Sequence, residues 1–572
     1  MDKSKKLMKR QTLVIGLDGA TFDIIDPLIE AGRLPNIARF KAEGAWGRLR
    51  SVMHPESPQA WSSFLTGTNP GKHGILDFTR RTMDSYDWRV NTANDRLGPD
   101  VSEILAQQGL RAGLFNVPLT YPPRPTDGFV VSGMGTPGFD SDFTHPLELK
   151  KELLEAFGQD VWIEEEIPGK TPLEYLDALH RSIERTLQLG EFLLRRFPNL
   201  DLYVLVFMAS DRVQHFFWNY VDPHYPDYVA DAPQELKNSI NGIYEHLDQA
   251  VGQLVEGRED WNIIVMSDHG GGPFYQMVDL NRWLEREGYL RFLDVESAAQ
   301  GNRAGSGLRS AYRFFRRHVA PKLSRRQRQF LRKLMPQAAM NRLRGYRHNP
   351  TLNRVDWSRT RAYAQGAYGR IFLNMAGREP QGIVRPEERE QLLDEIRTKL
   401  LALKGPLTDK RVIHRIYGRE ELFQGPFLNQ APELLVEWHK WQYHTRDSFA
   451  AQDSVFSDPP YWQFSQLKHT GNHRLNGIFL MKGGVINSDC EIEGAQIVDL
   501  APTLLYVLGA SIPREMDGKI LMQAFRPEIR ERYPAIYAES SADSERPFET
   551  EIYTEQEEAA VRERLRQLGY VD

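Results

Sequence analysis

A single cysteine, Cys490, stands among 572 residues. A lone thiol excludes an intrachain disulfide and a cysteine-built zinc site. Long apolar runs are missing too. No stretch reaches the ~18 residues that a membrane-crossing helix requires. The apolar run Leu13 to Leu17, behind a basic stretch at 1–11, is too short for the core of a signal peptide. Cytoplasmic residence is therefore the expectation. Charge imbalance is slight, with 72 Lys+Arg against 77 Asp+Glu. Charge by itself thus points to no polyanion partner, and no specific nucleic-acid binding is expected. No internal repeat is visible. What remains is a chain too long for one ordinary core, so two or more structural units are expected.

Several apolar blocks read as strands buried on both faces, because they show no alternation. The clearest is Ile263-Ile264-Val265-Met266, which breaks at Ser267-Asp268-His269-Gly270-Gly271. A carboxylate and an imidazole thus sit together just past a strand's C-terminal end, where open α/β sheets bind ligands. The same pattern opens the chain: Leu13 to Leu17, then Asp18-Gly19. It recurs at Leu202 to Met208, followed by Asp211 and His215. Those two are four residues apart and would share one face of a helical turn. Each acid has a plainer reading as a helix cap, since Asp is a good one. These strands, separated by helical patterns at 21–43, 99–111 and 170–198, predict an α/β fold with a central, mostly parallel sheet.

Ser57 lies between Pro55 and Pro58 and opens a helical stretch. There its hydroxyl would meet unpaired backbone N–H groups and the positive end of the helix dipole. That environment suits a nucleophile attacking phosphorus or sulfur, and equally suits an N-cap. His73, in the turn that closes this segment, reads as structural support. Later in the chain, a polar loop holding His473 precedes the apolar block Ile478 to Met481.

Residues 303–347 contain twelve arginines and two lysines with no Asp or Glu. Apolar residues such as Phe314, Phe330 and Leu334 interleave with them, so the segment reads as basic amphipathic helices. It would serve as a solvated cap on the acidic remainder of the chain, or as a lid facing an anionic lipid surface or substrate. The expected organisation is a core at 1–275, a basic helical insert or cap at 276–355, a second part of the core at 356–540, and a C-terminal tail at 541–572. A capping box at Thr554 to Glu557 makes a short, loosely packed helix of that tail.

Taken together, Asp18, Asp211, His215, Asp268, His269 and His473 offer three carboxylates and three imidazoles. They suffice for two divalent ions with positions left open for substrate. The nitrogen and oxygen donors suit zinc, with manganese as the other choice. Two such ions clamp the attacking and leaving oxygens of an in-line displacement, so phosphoryl-type transfer is the expected chemistry.

The order of these motifs resembles the alkaline phosphatase superfamily, in its type I phosphodiesterase/nucleotide pyrophosphatase branch. The carrying residues are Asp18-Gly19, Ser57, the run from Thr66-Gly67 through Pro70 to His73-Gly74, Asp211 with His215, Ser267-Asp268-His269-Gly270, and Gly471-Asn472-His473. The segment from Asp499 to Gly518 is similar to the closing helix and turn of phosphatases and sulfatases. The resemblance implies an alkaline-phosphatase-like core and a small phosphate-ester substrate: a diester, pyrophosphate or monoester. It also implies one metal held by Asp211, His215 and His473, and another held by Asp18, Asp268 and His269 with Ser57 joining. Ser57 would be the nucleophile of a phosphoseryl intermediate. Two positions depart from the branch. Ser57 stands where its diesterases carry Thr, and Ala60 stands where they carry a phosphoryl-contacting Asn, with Gln59 or the basic insert as candidate substitutes.

Other readings use the same ligands. A sulfatase would need an Arg after Ser57-Pro58-Gln59, and none follows in frame. A phosphoglycerate mutase of this superfamily carries its insert soon after the nucleophile, whereas here the main insert follows Ser267-Asp268-His269-Gly270. A phosphoethanolamine transferase would need membrane spans. A non-catalytic scaffold on the same fold would bind no metal stoichiometrically.

Overall fold

The computed structural model describes residues 11–82, 85–161, 170–293, 350–406, 411–446, 449, 454–461, 466–539, 552–568 and 570. The basic stretch 303–347 lies outside the described residues.

The first strand organises the main sheet. Strand β1 (Thr12–Leu17) is buried along its whole length. Its Leu13, Val14 and Ile15 are fully covered, and burying such a side chain is worth about 1.5–3 kcal/mol. It lies parallel to β6 (Leu202–Phe207) on one side and β7 (Asn262–Met266) on the other. The registers align: Thr12 faces both Leu202 and Asn262, and Leu17 faces Phe207. Three strands in register end at one edge, so Asp18, the turn leading to Asp211, and Asp268 emerge there side by side.

The remaining strands of this sheet are β2 (Ala45–Arg50), β3 (Ala112–Phe115), β4 (Phe129–Val131), β5 (Thr144–His145), β14 (Asn476–Lys482) and β15 (Cys490–Glu491). Their order across the sheet is β15-β2-β14-β7-β1-β6-β3-β4-β5. Strand β14 runs antiparallel between β2 and β7, and β5 runs antiparallel to β4, which makes the sheet mostly rather than wholly parallel. Helices cover both faces. One face carries α2 (Pro172–Arg196) and α4 (Ser239–Val255), with Tyr175, Ile183, Tyr244 and Leu247 in the buried cluster. The other carries α1 (Ser57–Thr66) and α6 (Leu500–Val507), with Trp61, Phe64 and Leu504. The α/β architecture read from the apolar blocks is the architecture found.

A second sheet has its own core. It comprises β9 (Ala362–Ala364), β10 (Arg370–Leu373), β11 (Ile413–Gly418) and β12 (Leu434–Trp438), in the order β9-β10-β12-β11 and antiparallel throughout. Helix α5 (Arg389–Leu401) packs on it through Leu392, Leu393 and Ile396, against Trp357, Tyr363 and Trp438. Of the segment 356–540, the part up to Trp438 thus belongs to this sheet, and the chain returns to the main sheet with β14. Two salt bridges of Arg370 of β10 tie the two regions together next to Ser57: one to Asp77, and one to Glu56 Oε1 at 3.5 Å.

The C-terminal segment differs from its expected loose packing. Helix α7 (Glu555–Gln567) begins at the anticipated capping box on Thr554. It then buries Val561, Leu565, Leu568 and Tyr570 in the main cluster. Sparse apolar residues hide this, because only one narrow stripe of the helix is used. Among the described residues, no helix is long and apolar enough to cross a membrane.

Candidate active site

Asp18 is the first residue past β1 and is fully buried. Its Oδ2 accepts a hydrogen bond from Trp61 Nε1 at 3.0 Å, while its Oδ1 has no hydrogen-bond partner. The chain turns at Gly19, where φ is +67° and an added Cβ would lie 3.0 Å from the Asp211 side chain. The positive φ favours glycine, and the close approach leaves little room for a side chain. The N–H of Gly19 in turn donates to Asp268 Oδ1 at 3.3 Å, leaving Asp268 Oδ2 without a partner.

Asp211 and His215 occupy one face of α3 (Ala209–Phe216), which starts two residues after β6. Asp211 Oδ1 lies 3.2 Å from His215 Nε2 and 3.3 Å from His473 Nε2. His473 sits not in a loop but in a short strand, β13 (Gly471–Arg474), paired antiparallel with β8 (Gly270–Pro273) so that His473 faces Gly271. Glycines 270 and 271 allow that pairing: a Cβ at Gly270 would meet the Asn476 carbonyl oxygen at 2.2 Å. The ladder brings the His473 ring onto the His269 ring, with centroids 3.7 Å apart.

Two imidazoles are oriented by backbone carbonyls. His473 Nδ1 donates to Pro55 O at 2.6 Å, and His269 Nδ1 donates to Gly270 O at 2.9 Å. A carbonyl can only accept, so in the neutral rings the lone pairs lie at Nε2. His269 Nε2 is 3.4 Å from Asp268 Oδ2, 3.6 Å from Asp18 Oδ1 and 3.3 Å from Ser57 Oγ. Ser57 is the first residue of α1 and is fully buried.

The electrostatics divide the cluster. Burial pushes Asp18 well up, and Asp268 and Asp211 beside it push it further. Asp268 is raised well above the usual carboxylate range by burial and by Asp211. Burial would raise Asp211 as well, but the neighbouring His215 reverses this and holds it well below the usual range. Burial, with His269 next, pushes His473 down to about 3, so this ring stays neutral.

Orphaned, fully buried carboxylate oxygens and inward lone pairs are what a divalent cation would satisfy. The donor set therefore fits metal ions. Two tight groups have ligand atoms within 4.8 Å of one another: Asp211, His215 and His473, and Asp18, Asp211 and His269. Asp211 belongs to both groups. Asp268, expected in the second, flanks it through His269.

Some neighbours carry no expectation from the sequence. His469 Nε2 lies 3.0 Å from His215 Nδ1 and orients that ring; its spacing of four from His473 is the one signal that could have found it. Trp61 and Tyr570, which hold Asp18 and Asp211, have none. His73 is structural as expected, bonded to Ser63 Oγ at 2.9 Å and accepting from the Ile75 N–H. Ala60 is buried in the apolar cluster beneath α1. The Gln59 amide is engaged with backbone carbonyls on either choice of its orientation: that of Met53, or those of Leu76 and His54.

The sequence profile of the family described as type I phosphodiesterase / nucleotide pyrophosphatase matches residues 12–456. Among curated proteins no sequence matches. Among solved structures, phosphonoacetate hydrolase from Sinorhizobium meliloti 1021, in complex with phosphonoformate, is similar in fold, with a TM-score of 0.50 and 16% identity, covering 88% of this chain and 96% of that one. Human ectonucleotide pyrophosphatase / phosphodiesterase 5 aligns with a TM-score of 0.46 and 12% identity, over 89% of this chain and 97% of that one.

Proposed function

The chain belongs to the type I phosphodiesterase / nucleotide pyrophosphatase family, and from that premise we propose that this hydrolase of phosphoric ester bonds works through a phosphoserine at Ser57 beside two divalent ions. The observation that carries the reading is the convergence of three buried carboxylates and three buried imidazoles beside the Ser57 hydroxyl, five of them in two tight groups and Asp268 at 3.4 Å from His269 Nε2. Asp211, His215 and His473 would hold one ion; Asp18, Asp268 and His269 would hold the other, with Asp211 close to both. Zinc and manganese both suit these donors. Bound there, the ions would supply Lewis acidity toward the phosphoryl oxygens, the serine hydroxyl and the attacking water.

The chain's own residues do the rest. Ser57 Oγ, at the start of a ten-residue helix, gives up its proton to solvent and attacks phosphorus as the bond to the leaving oxygen breaks; that oxygen takes up a proton from water as it departs. The first-turn N–H groups of that helix have no intrahelical acceptor and favour an anion there. Water then attacks the same phosphorus and releases phosphate or its monoester, restoring the serine. The backbone carbonyls of Pro55 and Gly270 keep His473 and His269 turned inward throughout. The substrate we propose is a small phosphate ester.

The test is a panel of aryl phosphate mono- and diesters and nucleotide sugars, assayed with zinc and with manganese. Ser57→Ala should abolish turnover of whichever ester is cleaved and leave the bound-ion content unchanged. Near-parental turnover in that variant would rule out the phosphoserine.

A further inference from the structure

Asp211 uses its two oxygens differently. Oδ1 faces His215 and His473 at 3.2 and 3.3 Å. Oδ2 accepts a hydrogen bond of 2.7 Å from the hydroxyl of Tyr570, a residue 359 positions later in the chain. That hydroxyl also accepts from Arg212 Nη1 at 3.0 Å. With Arg212 as its donor, the phenol has its own proton left for Asp211. The ring is held independently of these bonds. It stacks on Phe78 with centroids 4.6 Å apart, and lies edge-on to His215 at 5.6 Å. Helix α7 delivers it: Val561 and Leu565 anchor the helix in the main core, and Arg564 donates to the carbonyl of Thr136 at 2.8 Å.

We propose that Tyr570 is a positioning residue of the metal site: its hydroxyl pins Asp211 Oδ2, so that Oδ1 alone is presented between His215 and His473. The inference rests on the reading of those three residues as metal ligands. A carboxylate free to rotate would offer either oxygen, or both, to an ion. One charge-assisted hydrogen bond on Oδ2 removes that freedom. Loss of such an outer partner of a metal ligand weakens metal binding by about 10–100-fold. The C-terminal segment is on this view a working part of the site, although none of its side chains would touch an ion.

The experiment uses the full chain stripped with a chelator. Zinc is then titrated back against a competing chromophoric chelator, in the parent protein and in Tyr570→Phe. Phenylalanine keeps the stack on Phe78 and loses only the hydroxyl. One of two zinc affinities should fall by about 10–100-fold while the other stays near the parent's; the melting temperature of the stripped protein should fall by a few degrees, because Asp211 Oδ2 and Arg212 Nη1 each lose a buried partner. Two parental affinities in the variant would overturn the inference and leave the proposed function standing. A parent that takes up neither zinc nor manganese would overturn both. If Tyr570→Phe does not fold, a fluorotyrosine introduced at 570 gives the same answer in the native setting. Its fluorine resonance should shift when zinc fills the site, and an unmoved resonance in zinc-loaded protein would sink the proposal.

Discussion

The two halves of the ligand cluster are built from the same sheet edge but are satisfied to different degrees. Asp211 has a hydrogen-bonding partner on each oxygen: His215 on one, Tyr570 on the other, with His469 behind His215. Its charge is favoured. Around Asp18 and Asp268, each carboxylate keeps one oxygen with no hydrogen bond, and both charges are disfavoured. The first half is organised before any ion arrives. The second carries unbalanced negative charge that only a cation or a proton would relieve.

Asp211→Asn is the severest way to break this contrast. It removes the carboxylate shared by both tight groups and strips His215 of its buried partner. Leaving a buried hydrogen-bonding group without its partner costs about 1–3 kcal/mol. Chelator-treated Asp211→Asn should therefore unfold at lower denaturant than the parent, and metal analysis should find neither ion.

Asp268→Asn should act in the opposite direction on the stripped protein. The native pKa of Asp268 is raised above its unfolded value, so its penalty is present in full above the native pKa and fades as pH falls toward the unfolded one. At neutral pH the stripped variant should be more stable than the stripped parent by about 1–3 kcal/mol, and the two should converge in acid. With zinc present the order should reverse, because the parent gains binding energy that the variant lacks. Denaturant titrations at several pH values check this. A stripped variant less stable than its parent at neutral pH would mean that Asp268 is already well compensated.

Trp61→Phe sharpens the comparison at smaller scale. It deletes the donor to Asp18 Oδ2 and leaves the Asp211 side intact. Zinc titration should show about a 10-fold loss at one site and none at the other.

Much of this site is legible in the amino-acid sequence alone. Parallel strands buried on both faces must be continuously apolar, so an acid that ends such a block marks the sheet edge; Asp18, Asp211 and Asp268 stand out in that way. Contacts made by packing between distant elements are not legible. The pairing of β10 with β12 joins residues some sixty positions apart, and nothing local encodes it. His473 reads as a loop residue because four residues of strand beside glycines show no alternation. Tyr570 follows a helix whose apolar stripe is too sparse to announce where it docks. The Trp61 side chain reads as ordinary core until its ring nitrogen is seen against Asp18.

The place of β14 has a consequence for how the protein is made. It lies between β2 and β7, so those two strands cannot belong to one sheet until residues near 480 exist. Synthesis runs at about 5–20 residues per second, and β14 leaves the ribosome roughly 200 residues after β7. For some tens of seconds, then, the nascent chain carries one open edge on β7 and two on β2, whose only neighbours are β14 and β15, each a template for pairing with another chain. Slow translation through the second sheet would lengthen that interval, and the yield of folded enzyme should depend on what shields those edges meanwhile.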